Sequence, residues 1–224
     1  NFKLFAGHSL GEYSALVSAE ALNFSDTIKI LKLRGKAMQS SVPKGEGGMV
    51  AVLGTTVENI ENIFKDNLNN FRAEIANDNS EGQIVISGKT QDLAKLSSLL
   101  KENKIKNIKL PVSAPFHCSL MNNATNIMKE ELDKLKFKKG SNPLISNITA
   151  DEIFNEDELK DLLVKQIENR VRWRESIINM VNKKVNQFIE IGPGKVLSGL
   201  VKRINKDVEV SSINNVDDIK NIKI

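Results

Sequence analysis

Apolar and polar positions change period along the chain, and the changes mark its elements. MVAVLG (49–54), RAEIAN (72–77) and QIVISG (83–88) are short apolar or alternating runs bounded by turn residues, which predicts strands. TVENIENIFKDNL (56–68) and TQDLAKLSSLLKEN (90–103) repeat apolar residues every three or four positions, which predicts helices. The turn-rich DNSEG (78–82) separates two of the strands, and IKNIKLPVS (105–113) supplies a fourth. The order β-α-β-β-α-β is the ferredoxin-like arrangement. It predicts a small inserted subdomain over residues 48–112.

The flanking segments, 1–47 and 113–224, predict one larger α/β subdomain. Phe2–Ala6 reads as a buried strand and Gly11–Ala19 as a helix. Ser25 is the expected N-cap of a second helix running to about Ser41. PKGEGG (43–48) breaks the pattern and reads as a linker. Beyond the insert, helices are expected over HCSLMNNATNIMKEELDKL after its first residues, EDELKDLLVKQI, WRESIINMVNKK and GKVLSGLVKRI. Strands are expected at PLISNIT, VNQFIEIG and VEVSSI. The chain opens without methionine, already inside a strand pattern, so the expectation is a fragment that has lost an N-terminal part.

Composition narrows the class. A length of 224 residues suits one large domain or one domain with a smaller insert, and 40% hydrophobic with 27% charged residues is an ordinary globular balance. No apolar run is long enough to cross a bilayer, and no signal peptide is visible. The single cysteine, Cys118, excludes an internal disulfide and points to a reducing, cytoplasmic setting. A net charge of +4, spread along the chain, suits an acidic partner without identifying one.

Candidate chemistry begins with Gly7-His8-Ser9-Leu10-Gly11, a G-x-S-x-G pattern between a predicted strand and a predicted helix. Such a turn pushes the serine hydroxyl outward, and the glycines let neighbouring backbone approach. The Leu10 N–H, at the helix N-terminus, is then a natural oxyanion donor. Only two histidines are available as a base. His8 adjoins Ser9 and points elsewhere on an extended-to-turn segment. His117, in a loop between a strand and a helix, is favoured over its plainer reading as a helix cap. Cys118 lacks an elbow and reads as a packed thiol. On the second helix Lys29, Lys32 and Lys36 share one side at about 100° per residue. Arg34 falls among Ile30, Leu31 and Met38 on the apolar side. A buried guanidinium requires an anion or several acceptors. An internal salt bridge and a seat for a substrate carboxylate both remain open from the pattern alone.

GHSLGEYSALV, LRGKAMQ, PVSAPFHCSLM, LVKQIENRVRW and EIGPGKVLSGLVKRI together resemble the malonyl-CoA:acyl-carrier-protein transacylases of type II fatty acid synthesis. The resemblance runs from Leu4 to about Ile204. It implies a hydrolase-like α/β subdomain with a parallel sheet and a ferredoxin-like insert. It further implies Ser9 as nucleophile, His117 as base and Arg34 as the grip on the malonyl carboxylate. Phe116 and Met38 are implied as substrate-binding residues. Gln166 falls in the neighbourhood whose carbonyl acceptors orient the histidine; its plainer reading is an exposed helix residue. The implied partners are malonyl-CoA and an acidic, phosphopantetheinylated acyl carrier protein, with no nucleic acid, no membrane, and a monomeric state. No metal or redox cofactor is implied. The family's N-terminal GQGSQ-like stretch, source of a second oxyanion donor, has no match in this sequence. Losing one such donor costs about 10²–10³ in rate.

The implied reaction is ping-pong transfer through a malonyl-serine intermediate. A serine thioesterase or esterase shares the elbow, but those enzymes usually place an acid between the serine and a late histidine, whereas His117 lies mid-chain. An acyltransferase domain of a polyketide synthase and an inactive carrier-binding remnant also stay open. GPGK (192–195) lacks the P-loop spacing and reads as a tight strand-to-helix turn. Lys195, Lys202 and Arg203 follow as a basic face, open to a carrier protein or to solvent.

Overall fold

The computed structural model describes residues 2–221. Strand β1 (Phe5–Ala6) leads through a sharp turn into helix α1 (Leu10–Ser18), followed by α2 (Phe24–Ser40). The cap of α2 is Asn23, not Ser25: its Oδ1 accepts the N–H groups of Ser25 and Asp26. Asn23 keeps an extended backbone, so its side chain can reach the first free amides, whereas Ser25 already lies inside the first turn.

The next six elements are β2 (Gly47–Leu53), α3 (Val57–Asp66), β3 (Ala73–Ser80), β4 (Gln83–Lys89), α4 (Thr90–Glu102) and β5 (Lys106–Lys109). They form a four-stranded sheet in the order β3-β4-β2-β5 with every pairing antiparallel. This is the strand order of a ferredoxin-like unit. Alternate residues of the central strands, Val50, Val52, Ile84 and Ile86, bury against Ile60 and Leu96 of the two helices. Strand β3 runs on into the polar Asn77–Ser80, so the turn predicted at DNSEG shrinks to Glu81–Gly82. Those polar residues are buried because β3 turns its end toward the rest of the chain. The Asp78 N–H donates to the Val171 carbonyl (3.0 Å) and the Val171 N–H to that of Ala76 (2.8 Å). The Asp78 carboxylate, 1% exposed at its side chain, is forked by Arg174 Nε and Nη2 at 2.9–3.0 Å.

The chain returns through a 3-10 turn (Ser119–Met121) to α5 (Asn122–Asp133), β6 (Leu144–Ile145), β7 (Glu152–Ile153), α6 (Glu156–Gln166) and α7 (Trp173–Asn182). It ends with β8 (Gln187–Ile191), α8 (Val196–Ile204), β9 (Glu209–Ile213) and α9 (Val216–Asn221). β6 lies parallel to β1 and antiparallel to β7, while β8 and β9 form a second parallel pair. The parallel strands therefore sit in two small sheets. The apolar runs Phe2–Ala6 and Pro143–Thr149 each give only two strand residues, because a strand needs a hydrogen-bonded partner as well as an apolar pattern. Tyr13, Leu16, Ile30, Met128, Leu132 and Leu163 anchor a helical core beside β1 and β6. Trp173, Ile177, Leu200 and Val208 centre another around β8 and β9. No helix among the described residues is long and apolar enough to cross a membrane.

Candidate active site

The turn between β1 and α1 is tight and strained. Ser9 has φ 53° and ψ −107°, a region that costs of order 1–3 kcal/mol for a residue with a Cβ. A Cβ on Gly7 would lie 1.9 Å from the carbonyl carbon and oxygen of Gly11, so only glycine fits there. A Cβ on Gly11 would meet nothing within 4 Å. The expectation that both glycines relieve a clash is thus corrected: Gly11 contributes its backbone, and Gly7 gives way to it. The Leu10 N–H, first in α1, is among the helix amides with no acceptor one turn earlier.

His117 meets the serine. Its Nε2 lies 2.8 Å from Ser9 Oγ, and its Nδ1 lies 2.7 Å from the main-chain carbonyl of Gln166. A carbonyl only accepts, so the ring proton sits on Nδ1 and Nε2 offers its lone pair to the hydroxyl. His117 is 4% exposed; burial, with the nearby Arg34 charge second, pushes its pKa down to about 3. The imidazole is neutral at physiological pH. Its backbone is also left-handed, at φ 58°, and the Ser87 hydroxyl donates to the preceding Phe116 carbonyl at 2.5 Å. His8 faces away: its Nε2 donates to Asn79 Oδ1 (2.8 Å), and its ring centroid lies 5.7 Å from that of Trp173. The Cys118 thiol donates to the Pro115 carbonyl, and burial pushes its pKa up to about 12, so it stays protonated.

Arg34 is 6% exposed and reaches the same hydroxyl. Its Nη2 donates to Ser9 Oγ (3.0 Å) and to Gln166 Oε1 (2.9 Å), and its guanidinium carbon lies 5.5 Å from the Tyr13 ring centre. It makes no salt bridge among the described residues, and its buried Nε has no acceptor there. Gln166 is fully buried, which sets aside the plainer alternative of an exposed helix residue. Its main-chain carbonyl orients the imidazole, while its side chain receives Arg34 and donates from Nε2 to the Ser9 carbonyl (3.0 Å). Phe116 is partly buried and packs against the helical core and against Met49, Ala76 and Val85. Met38, one turn beyond Arg34, is 3% exposed in the helical core.

Two further residues complete this buried polar cluster, and sequence reasoning missed both. Glu12 is 1% exposed; its Oε2 accepts from Gln166 Nε2 (2.6 Å) and its Oε1 from the Asn147 N–H (3.3 Å). Burial pushes its carboxyl up to about 8 against the pull of these donors and of Arg34. Asn147, 1% exposed just beyond β6, bridges the elbow: Nδ2 donates to the Gly7 carbonyl and Oδ1 accepts the Ser9 N–H, each at 2.7 Å. The signal for Glu12 was the one used for Arg34, a charge among the buried Tyr13, Ala15 and Leu16 of one helix. For Asn147 it was a polar residue closing an apolar strand run.

Of the basic residues expected to form a face near the C-terminus, Lys202 and Arg203 are engaged within the chain. Lys195 precedes α8 rather than riding on it. Lys202 Nζ donates to the carbonyls of Val208 (2.6 Å) and Lys206 (3.2 Å), and Arg203 pairs with Gln83. Residues 192–195 bend between β8 and α8. The Glu190 carboxylate takes the helix amides of Leu197 and Ser198 (3.1 and 2.7 Å). That N-terminus carries an anion from its own chain. Among the described residues no group of three or more His, Cys, Asp or Glu could hold a metal ion.

A strained serine, a neutral imidazole and a desolvated guanidinium on one oxygen, carried on an α/β frame, are the equipment that acyl chemistry on a serine would need. The acyl transferase domain family matches residues 3–222, and the chain belongs to that family. It is 43% identical over 217 residues to the malonyl CoA-acyl carrier protein transacylase of Bacillus subtilis, covering 96% of this chain and 68% of the relative. The crystal structure of an acyl-carrier-protein S-malonyltransferase from Bartonella henselae superposes with TM-score 0.95 at 40% identity, over 99% of this chain and 71% of that one. A malonyl-transacylase in complex with its type II polyketide acyl-carrier protein superposes with TM-score 0.94 at 35% identity, over 98% of this chain and 72% of that one.

Proposed function

We propose that this chain transfers a malonyl group from malonyl-CoA to the phosphopantetheine thiol of an acyl carrier protein, by way of a malonyl ester on Ser9, in the cytoplasm. The observation that carries this reading is the meeting of three groups at Ser9 Oγ, with His117 Nε2 at 2.8 Å and Arg34 Nη2 at 3.0 Å. The names of the relatives, malonyl transacylases acting with acyl carrier proteins, support the choice of donor and acceptor.

His117 accepts the Ser9 proton as Oγ attacks the thioester carbonyl, with the Leu10 N–H toward the developing oxyanion. The tetrahedral intermediate collapses, the CoA thiolate leaves and takes the proton from His117, and malonyl-Ser9 remains. The carrier thiol then gives its proton to His117 as its sulfur attacks the ester. Collapse expels Ser9 Oγ, which recovers that proton. In the free site Arg34 donates to Oγ and dampens its nucleophilicity. A malonyl carboxylate draws the guanidinium away into a bidentate pair, which both frees the hydroxyl and cancels the positive charge that lowers His117 basicity. Acetyl does neither, so selection for malonyl comes with activation. The Gln166 carbonyl fixes the imidazole tautomer, and Phe116 and Met38 form the apolar wall beside the acyl group.

Incubation with malonyl-CoA followed by intact-mass measurement tests the reading. The adduct is expected on Ser9 and absent from Ser9→Ala, with turnover down by about 10⁴-fold or more. A normal adduct on Ser9→Ala overturns the assignment. Faster malonyl transfer to water than to a carrier thiol would make the chain a thioesterase instead.

A further inference from the structure

We infer that Asn147 is a positioning residue for the nucleophile, its one amide clamping both sides of the strained elbow. The inference rests on the reading of Ser9 as nucleophile. Ser9 holds φ 53° and ψ −107° without the freedom of glycine, so something must supply the restoring contacts. The Asn147 amide supplies two. Nδ2 donates to the carbonyl of Gly7, two residues before the peak of the turn, and Oδ1 accepts the N–H of Ser9 itself.

Both partners have fixed polarity, since a carbonyl only accepts and an amide N–H only donates. The bridging group must therefore offer one donor and one acceptor on a single rigid plane, which among side chains of this length asparagine alone does. Aspartate keeps the acceptor and loses the donor. Leucine loses both.

Asn147 is itself held. Its N–H donates to Glu12 Oε1 (3.3 Å), its carbonyl accepts the Arg172 N–H (3.0 Å), and its Oδ1 also receives Gln166 Nε2 (3.4 Å). Buried to 1% exposure and anchored on three sides, the amide cannot follow a relaxing turn. It holds the turn to its own position. Asn147 makes no direct hydrogen bond to Arg34, whose guanidinium is held by Gln166 Oε1 and Ser9 Oγ, so the clamp acts first on where Oγ sits.

The test compares Asn147→Ala, Asn147→Asp and the parent chain in two assays. One is malonyl transfer from malonyl-CoA. The other is inactivation by phenylmethanesulfonyl fluoride, which reports on Ser9 with a reagent that has no carboxylate for Arg34 to bind. Asn147→Ala is expected to lower kcat and the sulfonylation rate together by about 10²-fold, the scale of an ångström-size misplacement. KM for malonyl-CoA and the preference for malonyl over acetyl are expected to change less than about twofold. Asn147→Asp is expected to fall between. A soluble, cooperatively melting Asn147→Ala with kcat within about threefold of the parent overturns the inference. So does a loss appearing in KM or acyl preference instead.

Hydrogen exchange of the Ser9 amide in the parent chain keeps the clamp refutable even if both variants misfold. Protection is expected, and exchange at the rate of a free amide overturns the clamp. Sulfonylation that persists in Ser9→Ala would instead overturn the nucleophile assignment, so the two failures are distinguishable.

Discussion

The molecule has two kinds of interior, and they obey different rules. Under the four-stranded sheet Val52, Ile60, Ile86 and Leu96 are buried completely and none carries a polar group. Around Ser9 the buried residues are Glu12, Arg34, His117, Asn147 and Gln166, all at 6% exposure or less. The first interior is stabilised by area removed from water and tolerates exchange of shape for shape. The second desolvates three ionisable groups, Glu12, Arg34 and His117, and offsets that cost through a network of directed hydrogen bonds. The apolar interior holds a frame at low cost. The polar one spends stability to fix the direction of a lone pair, a hydroxyl and a guanidinium.

Substitutions that separate stability from chemistry sharpen that contrast. The largest selective effect is expected from Arg34→Ala: malonyl preference over acetyl should drop by about 10²-fold, the scale of truncating one partner of a desolvated charge pair, measured as the ratio of kcat/KM values. Unchanged selectivity would make Arg34 a packing residue and dissolve the distinction. Leu96→Ala should do the reverse, costing about 2–5 kcal/mol in urea unfolding while leaving the selectivity of the folded fraction intact.

A smaller effect is expected on pH dependence. A general base works when neutral, and burial holds His117, the proposed base, far below the ordinary value, so the acid limb of serine acylation should lie well below pH 6.5. Arg34→Ala removes a positive neighbour and should move that limb toward higher pH, though only partly, because burial is the larger cause. A limb at or above 6.5 in the parent would show a solvated imidazole. The smallest effect is expected from Lys29→Ala on the outer face of α2, where an exposed pair with Asp26 is lost: stability within about 0.5 kcal/mol and no change in transfer.

Legibility in the sequence followed the same divide. The four-stranded unit was readable because its apolar residues keep a local period, and the observed strand order follows from that pattern and its turns. The serine turn was readable because its requirement is local: Gly7 must lack a Cβ where Gly11 backbone crosses it. Arg34 stood out as a charge on an apolar face. The same reasoning, applied to Glu12 on α1, would have exposed a second buried charge. Asn147 gave a weaker signal, since its partners lie about 140 positions away in the chain. The polar end of β3 was cut short in the reading because a strand that buries Asn77–Ser80 is intelligible only once the segment around Val171 and Arg174 lies against it.

By itself the sequence pointed to most of the elements, the small sheet, Ser9 as the proposed nucleophile and His117 over His8 as its proposed base, since each rests on period, turn chemistry or a short motif. Only the tertiary structure decided the distances at which His117 and Arg34 meet the hydroxyl, that it is the main-chain carbonyl of Gln166 that faces the imidazole, and that the Gln166 side chain is buried. The reason is physical: a hydrogen bond is specified to tenths of an ångström by groups whose separation along the chain carries no trace of their distance in space.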